Sequence, residues 1–228
     1  LALAESLAGR DREAIEDYRK TLELKPGLYQ ANLNLGILLL RNRQAEAAVL
    51  PLEAARAANP AGLRPSVYYA DALLAAGRFD AAVDAFQNVL KLKTDSAAAE
   101  SGLGRALAHK GQLDAAAPHL ENAARLDAAF SDGLLELGDL YEKDKRTAEA
   151  VALYAKFPDN AAAQERAGQL LLAAGDKAGA VPHLEAAVKM ATRFMLVVSV
   201  GGGPAIRRPL PRLHTPVRIR VYNPASSR

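Results

Sequence analysis

The chain has 228 residues, half of them apolar but only 5% aromatic, with no Trp and no Cys. The lack of Cys excludes disulfides, thiolate nucleophiles and cysteine metal sites, and no run approaches the roughly 18 apolar residues of a membrane helix. The net charge of +3 is a composite, because residues 1–192 hold 22 basic and 26 acidic groups while 193–228 hold seven Arg and no acid. The basic balance therefore gives no reason to expect the body of the chain to bind nucleic acid.

The apolar periodicity predicts helices in pairs. The chain starts at Leu1 inside a helical pattern, which reads as a fragment or a processed product. Any targeting segment would then lie upstream. The first pair is incomplete: 1–8 resemble the last two turns of a helix, Gly9-Arg10 its turn, and 11–25 a second helix stopped by Pro26-Gly27. Unit two pairs 29–42 with 44–58 and closes on Asn59-Pro60, unit three pairs 63–76 with 79–93, and unit four pairs 97–110 with 113–127. Unit five has a second helix starting at Thr147 that meets Pro158 early, and unit six pairs 161–174 with 177–192. Unit boundaries fall near 1–28, 29–62, 63–96, 97–130, 131–160 and 161–192.

The pairs are copies of one another. Ala14, Ala48, Ala82, Ala116, Ala150 and Ala180 recur at spacings of 34, with 30 for the last, and each precedes by four residues a large side chain: Tyr18, Leu52, Phe86, Leu120, Tyr154, Leu184. Self-similarity of this period predicts a solenoid, in which each unit packs only on its neighbours. Gly9, Gly77, Gly111 and Gly175 sit where a helix ends in a left-handed residue, and Asp80 and Asp114 follow at the start of the next helix, where a carboxylate favours free N–H groups. Pro51, Pro118 and Pro182 lie near the first turns of second helices and should leave them intact. The short unit five, with Phe157 in a column of small residues, either tilts unit six or loses the missing turn harmlessly in a loop.

Leu35-Gly36-x-x-Leu39 with Ala48-x-x-x-Leu52 and Pro60 resembles the tetratricopeptide repeat, as do Leu103-Gly104-x-x-Leu107 with Ala116-x-x-x-Leu120 and Leu137-Gly138-x-x-Tyr141 with Ala150-x-x-x-Tyr154. The early aromatic of that motif is absent, its place held by Asn32, Ser66, Glu100 and Leu134. The fold so implied is all-α, a right-handed superhelical solenoid of antiparallel helix pairs followed by a non-repeat Arg/Pro-rich tail. Gly36, Ala70, Gly104, Gly138 and Gly168 lie in mid-helix, where Gly costs about 1 kcal/mol relative to Ala, so close helix approach is expected there.

The resemblance implies that the first helix of each unit lines a concave groove that receives a peptide or a partner helix. Helical projection puts Leu33, Ile37, Leu40, Val67 and Leu74 on that face at one end. At the other end it puts Arg105, His109, Asp139, Glu142 and Lys143 there, with Asp71 between them. Ile37, Asp71, Arg105, Asp139 and Gln169 form one column, in which Asp71, Arg105 and Asp139 alternate in sign, as a ladder of ion pairs between units or as a polar rail for a ligand. The Lys/Asn/Arg clamp by which some members grip a terminal carboxylate has no counterpart, since Leu33, Ile37, Tyr68, Ala98 and Gly102 fill its places.

No catalytic motif is present: no HExxH, no GxSxG, no GxxxxGK[ST]. His119 and His183 are equivalent in Pro118-His119-Leu120-Glu121 and Pro182-His183-Leu184-Glu185, which reads as a shared helix surface and not as metal ligands. After Thr192 the pattern stops. Residues 194–200 are apolar, 217–222 alternate like a strand, and 193–228 read as an irregular basic tail, a disordered one, or an out-of-frame stretch. The expectation is a non-catalytic protein–protein interaction scaffold with a protein or peptide partner. No cofactor, metal, small-molecule substrate, nucleic acid or membrane span is expected, and the cytoplasm is favoured over the periplasm. The alternative is the repeat segment of a larger enzyme, a glycosyltransferase or sensor, with its catalytic domain outside this chain.

Overall fold

The computed structural model describes residues 2–200, and these form twelve α-helices and one 3-10 turn without a strand among them. The helices pair as α1 (Ala2–Leu7) with α2 (Asp11–Leu24), α3 (Tyr29–Arg41) with α4 (Ala45–Ala58), and α5 (Leu63–Ala75) with α6 (Phe79–Leu92). They continue as α7 (Ala97–His109) with α8 (Leu113–Leu126), α9 (Asp132–Lys143) with α10 (Thr147–Tyr154), and α11 (Ala161–Ala173) with α12 (Lys177–Val200). From α1 to α11 each helix packs on the next in the chain, α12 meets α11 through His183 and Gln164, and first helices of successive units also touch, α3 on α5, α5 on α7 and α7 on α9. This nearest-neighbour pattern is a solenoid. It occupies a compact unit, Leu1–Met190; the other unit, Ala191–Arg228, is described only as far as the end of α12.

The repeated columns build the core. Ala14, Ala48, Ala82, Ala116, Ala150 and Ala180 are all 0% exposed. Their backbones let the paired helices close until the mid-helix glycines meet the large side chain four residues on. A Cβ on Gly36 would lie 2.3 Å from Leu52 Cγ, and one on Gly104 would lie 2.6 Å from Leu120 Cγ and 3.2 Å from the Ala116 carbonyl oxygen. Unit three solves the same problem differently. Ala70 stands where units two, four, five and six have Gly, and the Phe86 ring reaches the following unit, where a Cβ on Gly102 would lie 2.1 Å from Cζ.

The turns share one geometry. Gly9, Gly77, Gly111 and Gly175 have φ between 74° and 85°, and Arg43 and Lys145 hold the same place at 58° and 60°. The period of this column is thus complete, although only four of its residues are the type that favours a left-handed backbone.

Several expectations are corrected. Asp80 and Asp114 lie in the first turns of α6 and α8, as expected, but make no capping hydrogen bond; the N-cap positions are Arg78 and Gln112, and the two carboxylates reach the next unit, Asp80 to Lys110 at 2.5 Å and Asp114 to Arg146 at 2.7 Å. Asp11 likewise accepts from Arg41 and from Asn42 Nδ2 at 2.7 Å, and these bonds hold its carboxyl below the usual range. Pro51, Pro118 and Pro182 do lie inside unbroken helices, but one turn deeper than the free N–H groups, so each forgoes a backbone bond. The boundary at Thr192 is not a helix end. Residues 193–200 contain no Gly or Pro and continue α12, so 194–200 are helix and not half of a hairpin. The strand-like 217–222 lie outside the described residues.

Candidate functional site

The first helices present one face, and their sequence-selected residues divide along it. At the apolar end Leu33 is 2% exposed and belongs to the core, so it is no groove residue. Ile37, Leu40, Val67 and Leu74 are part-buried, packed against the core with an edge toward solvent.

The charged end forms a cavity. Arg105, Ala108 and His109 of α7 face Gly133, Glu136, Leu137, Asp139, Leu140 and Lys143 of α9 around a space of about 330 Å³, with Leu120 at its base. Arg105 Nη2 donates to Glu136 Oε1 at 2.8 Å, while its Nε is buried and no acceptor among the described residues reaches it. The His109 ring stacks on Phe79, centroids 4.8 Å apart and planes 5° from parallel. Lys143 makes no ion pair among the described residues, so its ammonium stands free at the rim. Glu142 holds Arg166 of the next unit through both carboxylate oxygens, at 2.7 and 2.5 Å. Asp139, Glu142, Lys143 and Arg166 together line a second, adjoining recess.

The alternating column does not pair with itself. Arg105 takes Glu136, and Asp139 accepts from the Tyr154 hydroxyl at 2.5 Å, a bond from the second helix of its own unit. Burial, and then this carboxylate, push the Tyr154 phenol up. Asp71 is part-buried without a hydrogen bond among the described residues; burial raises its pKa to about 6 and the charge of Arg105 pulls it partly back.

A second set of polar groups goes unrecognised in the sequence. The places where the motif lacks its aromatic are buried: Asn32 5%, Ser66 6%, Glu100 7%, Leu134 6%, Gln164 4%. Asn32 Nδ2 donates to the Pro26 carbonyl at 2.7 Å and the Ser66 hydroxyl to that of Gly62 at 2.9 Å. Gln164 Nε2 donates to the Phe157 and Tyr154 carbonyls at 3.0 and 3.3 Å, bracing the chain after the shortened α10. Glu100 meets His119 Nδ1 at 2.6 Å and Asn122 Nδ2 at 2.6 Å, and His183 Nδ1 meets Gln164 Oε1 at 2.8 Å. Both His residues thus latch the second helix of a unit to the first, 19 residues back. The signal for it is the recurrence of His119 and His183 opposite Glu100 and Gln164. No group of three metal-ligating side chains occurs among the described residues.

The model of a tetratricopeptide repeat matches residues 70–132, 110–157 and 152–193, together more than half of the chain. Solved structures of similar fold include MamA (19% identity, covering 74% of this chain and 94% of that one, TM-score 0.61). PilF of Pseudomonas aeruginosa is similar too (21%, 80% and 85%, TM-score 0.60). So is YrrB, described as a repeat protein with an unusual peptide-binding site (19%, 82% and 98%, TM-score 0.57). Among curated proteins none matches the chain by sequence. The pairing, the period and the family match agree, and the chain belongs to the tetratricopeptide repeat family.

Proposed function

We propose that this chain is a non-catalytic interaction scaffold whose first-helix face binds an extended peptide or a partner helix. Its most selective contacts are then at the cavity between α7 and α9. The observation that carries this reading is the cavity itself. Its lining combines the apolar Leu120, Leu137 and Leu140 with the charged Arg105, Asp139 and Lys143. A lining of that kind takes one apolar side chain, while the charges fix the direction and register of the rest, which is how an extended segment is recognised. Ile37, Leu40, Val67 and Leu74 extend the apolar contact toward the other end. YrrB, a fold neighbour, is described as having a peptide-binding site, which is consistent with the same use of the fold here.

Selection of peptides from a random library on the intact protein tests this. The selected peptides should share an apolar anchor flanked by charge and lose at least about tenfold in affinity on Lys143→Glu or Asp139→Lys. They should be indifferent to Glu53→Lys on the opposite helices. Equal binding to all three variants would place the binding face elsewhere.

A further inference from the structure

A pocket lies outside the first-helix groove, between the ends of α4 and α6 and the start of α5. Arg56, Ser66, Tyr69, Asn88, Lys91 and Leu92 account for its chemistry, and it encloses about 220 Å³. The Arg56 guanidinium lies over the Tyr69 ring at 4.7 Å from the centroid. Among the described residues its buried Nε finds no acceptor, and no ion pair or hydrogen bond holds the rest of the group. Lys91 Nζ donates to Asn88 Oδ1 at 2.9 Å, which leaves the other ammonium protons and the Asn88 amide N–H groups available. No carboxylate lines the space.

Cations are common in the last turn of a helix because they offset the helix dipole, and both Arg56 and Lys91 lie in last turns. A cation serving only that purpose points its donors at the final carbonyls. Arg56 does not. Its guanidinium stands over the Tyr69 ring instead, and its terminal N–H groups, which are not buried and make no hydrogen bond among the described residues, are open to an acceptor.

We propose that this pocket is a binding site for a phosphate group. Two positive charges and an excess of donors over acceptors match a dianion with several acceptor oxygens, and the planar guanidinium pairs with two of those oxygens at once. Leu92, 48% exposed, and the Tyr69 ring give the rim an apolar edge for the remainder of the molecule that carries the phosphate. The group is supplied either by a phosphorylated side chain of a partner or by a free phosphate compound.

Calorimetric titration of the intact protein at low ionic strength tests the site and separates the two sources. The probes are inorganic phosphate, a pentapeptide centred on phosphoserine, and the same peptide with serine. Saturable binding of at least one phosphate probe is expected, with none by the serine peptide. Arg56→Gln should weaken it at least about tenfold and Lys91→Gln severalfold, while Lys25→Gln, in unit one, should leave it unchanged. Lys91 is exposed, so its variant reports on the site without touching the core. Tighter binding of the phosphopeptide than of inorganic phosphate assigns the source to a partner protein, and equal binding assigns it to a small phosphate. Absence of saturable phosphate binding, or binding that survives both Arg56→Gln and Lys91→Gln, overturns the proposal.

Discussion

At the residue scale, close packing and burial decide which side chains are tolerated. Gly102 is held by the Phe86 ring, 0% exposed and without room to retreat. Gly102→Ala should therefore cost about 1–3 kcal/mol in urea unfolding, and Phe86→Leu added to it should return part of that loss by removing the clash. Full additivity of the two changes would contradict the contact. Arg43 and Lys145 sit in a backbone region that favours Gly, so Arg43→Gly should raise stability by about 0.5–1 kcal/mol, through relief of the backbone alone; a lower melting temperature would speak against a strained turn. Asp71 carries a pH signature. Its folded pKa is raised from 3.8 to about 6, so the folded state binds the proton more tightly than the unfolded chain does. Its contribution to stability is therefore lost as pH climbs through that window. Asp71→Asn should stabilise the protein at neutral pH by about 1–2 kcal/mol, allowing for partial solvent screening. It should make no difference below the ordinary carboxylate range. A variant whose unfolding free energy tracks the wild type across the whole window would show that Asp71 is better solvated than its surroundings indicate.

At the element scale, the helix pairs are legible in the sequence and their polar seams are not. Apolar spacing and turn residues locate the helices of units one to four, and α11, to within about two residues, because a helix must bury one stripe wherever it lies. The same projection assigns a face without saying what covers it, which is why Leu33 reads as groove although it is buried in the core. Charge columns in the sequence suggest mutual partners, but side chains choose by reach. Arg105 finds Glu136 and Asp139 finds Tyr154, while Asp80 and Asp114 bridge to the next unit instead of capping their own helices. The Glu100–His119–Asn122 cluster is hidden because its members belong to different helices of one unit and no local motif joins them. His119→Ala would leave the Glu100 carboxylate buried with one partner fewer, a loss of about 1–3 kcal/mol in chemical denaturation. His119→Gln, which can keep a hydrogen bond to Glu100, should recover part of it. Identical stability of the wild type and both variants would reduce the latch to a surface contact. α12 carries a further lesson: composition marks a break at Thr192, but residues 193–200 hold no Gly or Pro and the helix runs on through Val200.

At the scale of the whole molecule, stability is shared between neighbours, and binding uses the surface that stacking leaves open. The first helices contribute a row of half-buried apolar groups at one end and the Arg105, Asp139 and Lys143 cavity at the other, while the pocket at Arg56 lies between α4, α5 and α6. These two surfaces make separate predictions. The groove should respond to charge reversal at Lys143, and the phosphate pocket to loss of Arg56, with neither change transmitted to the other site. Hydrogen-exchange mass spectrometry of the intact protein, with and without a saturating library-selected peptide, tests the account most directly. Slowed exchange should concentrate in α7 and α9 and extend along the other first helices. Slowing confined to α8, α10 and α12, with α7 and α9 unchanged, would contradict it.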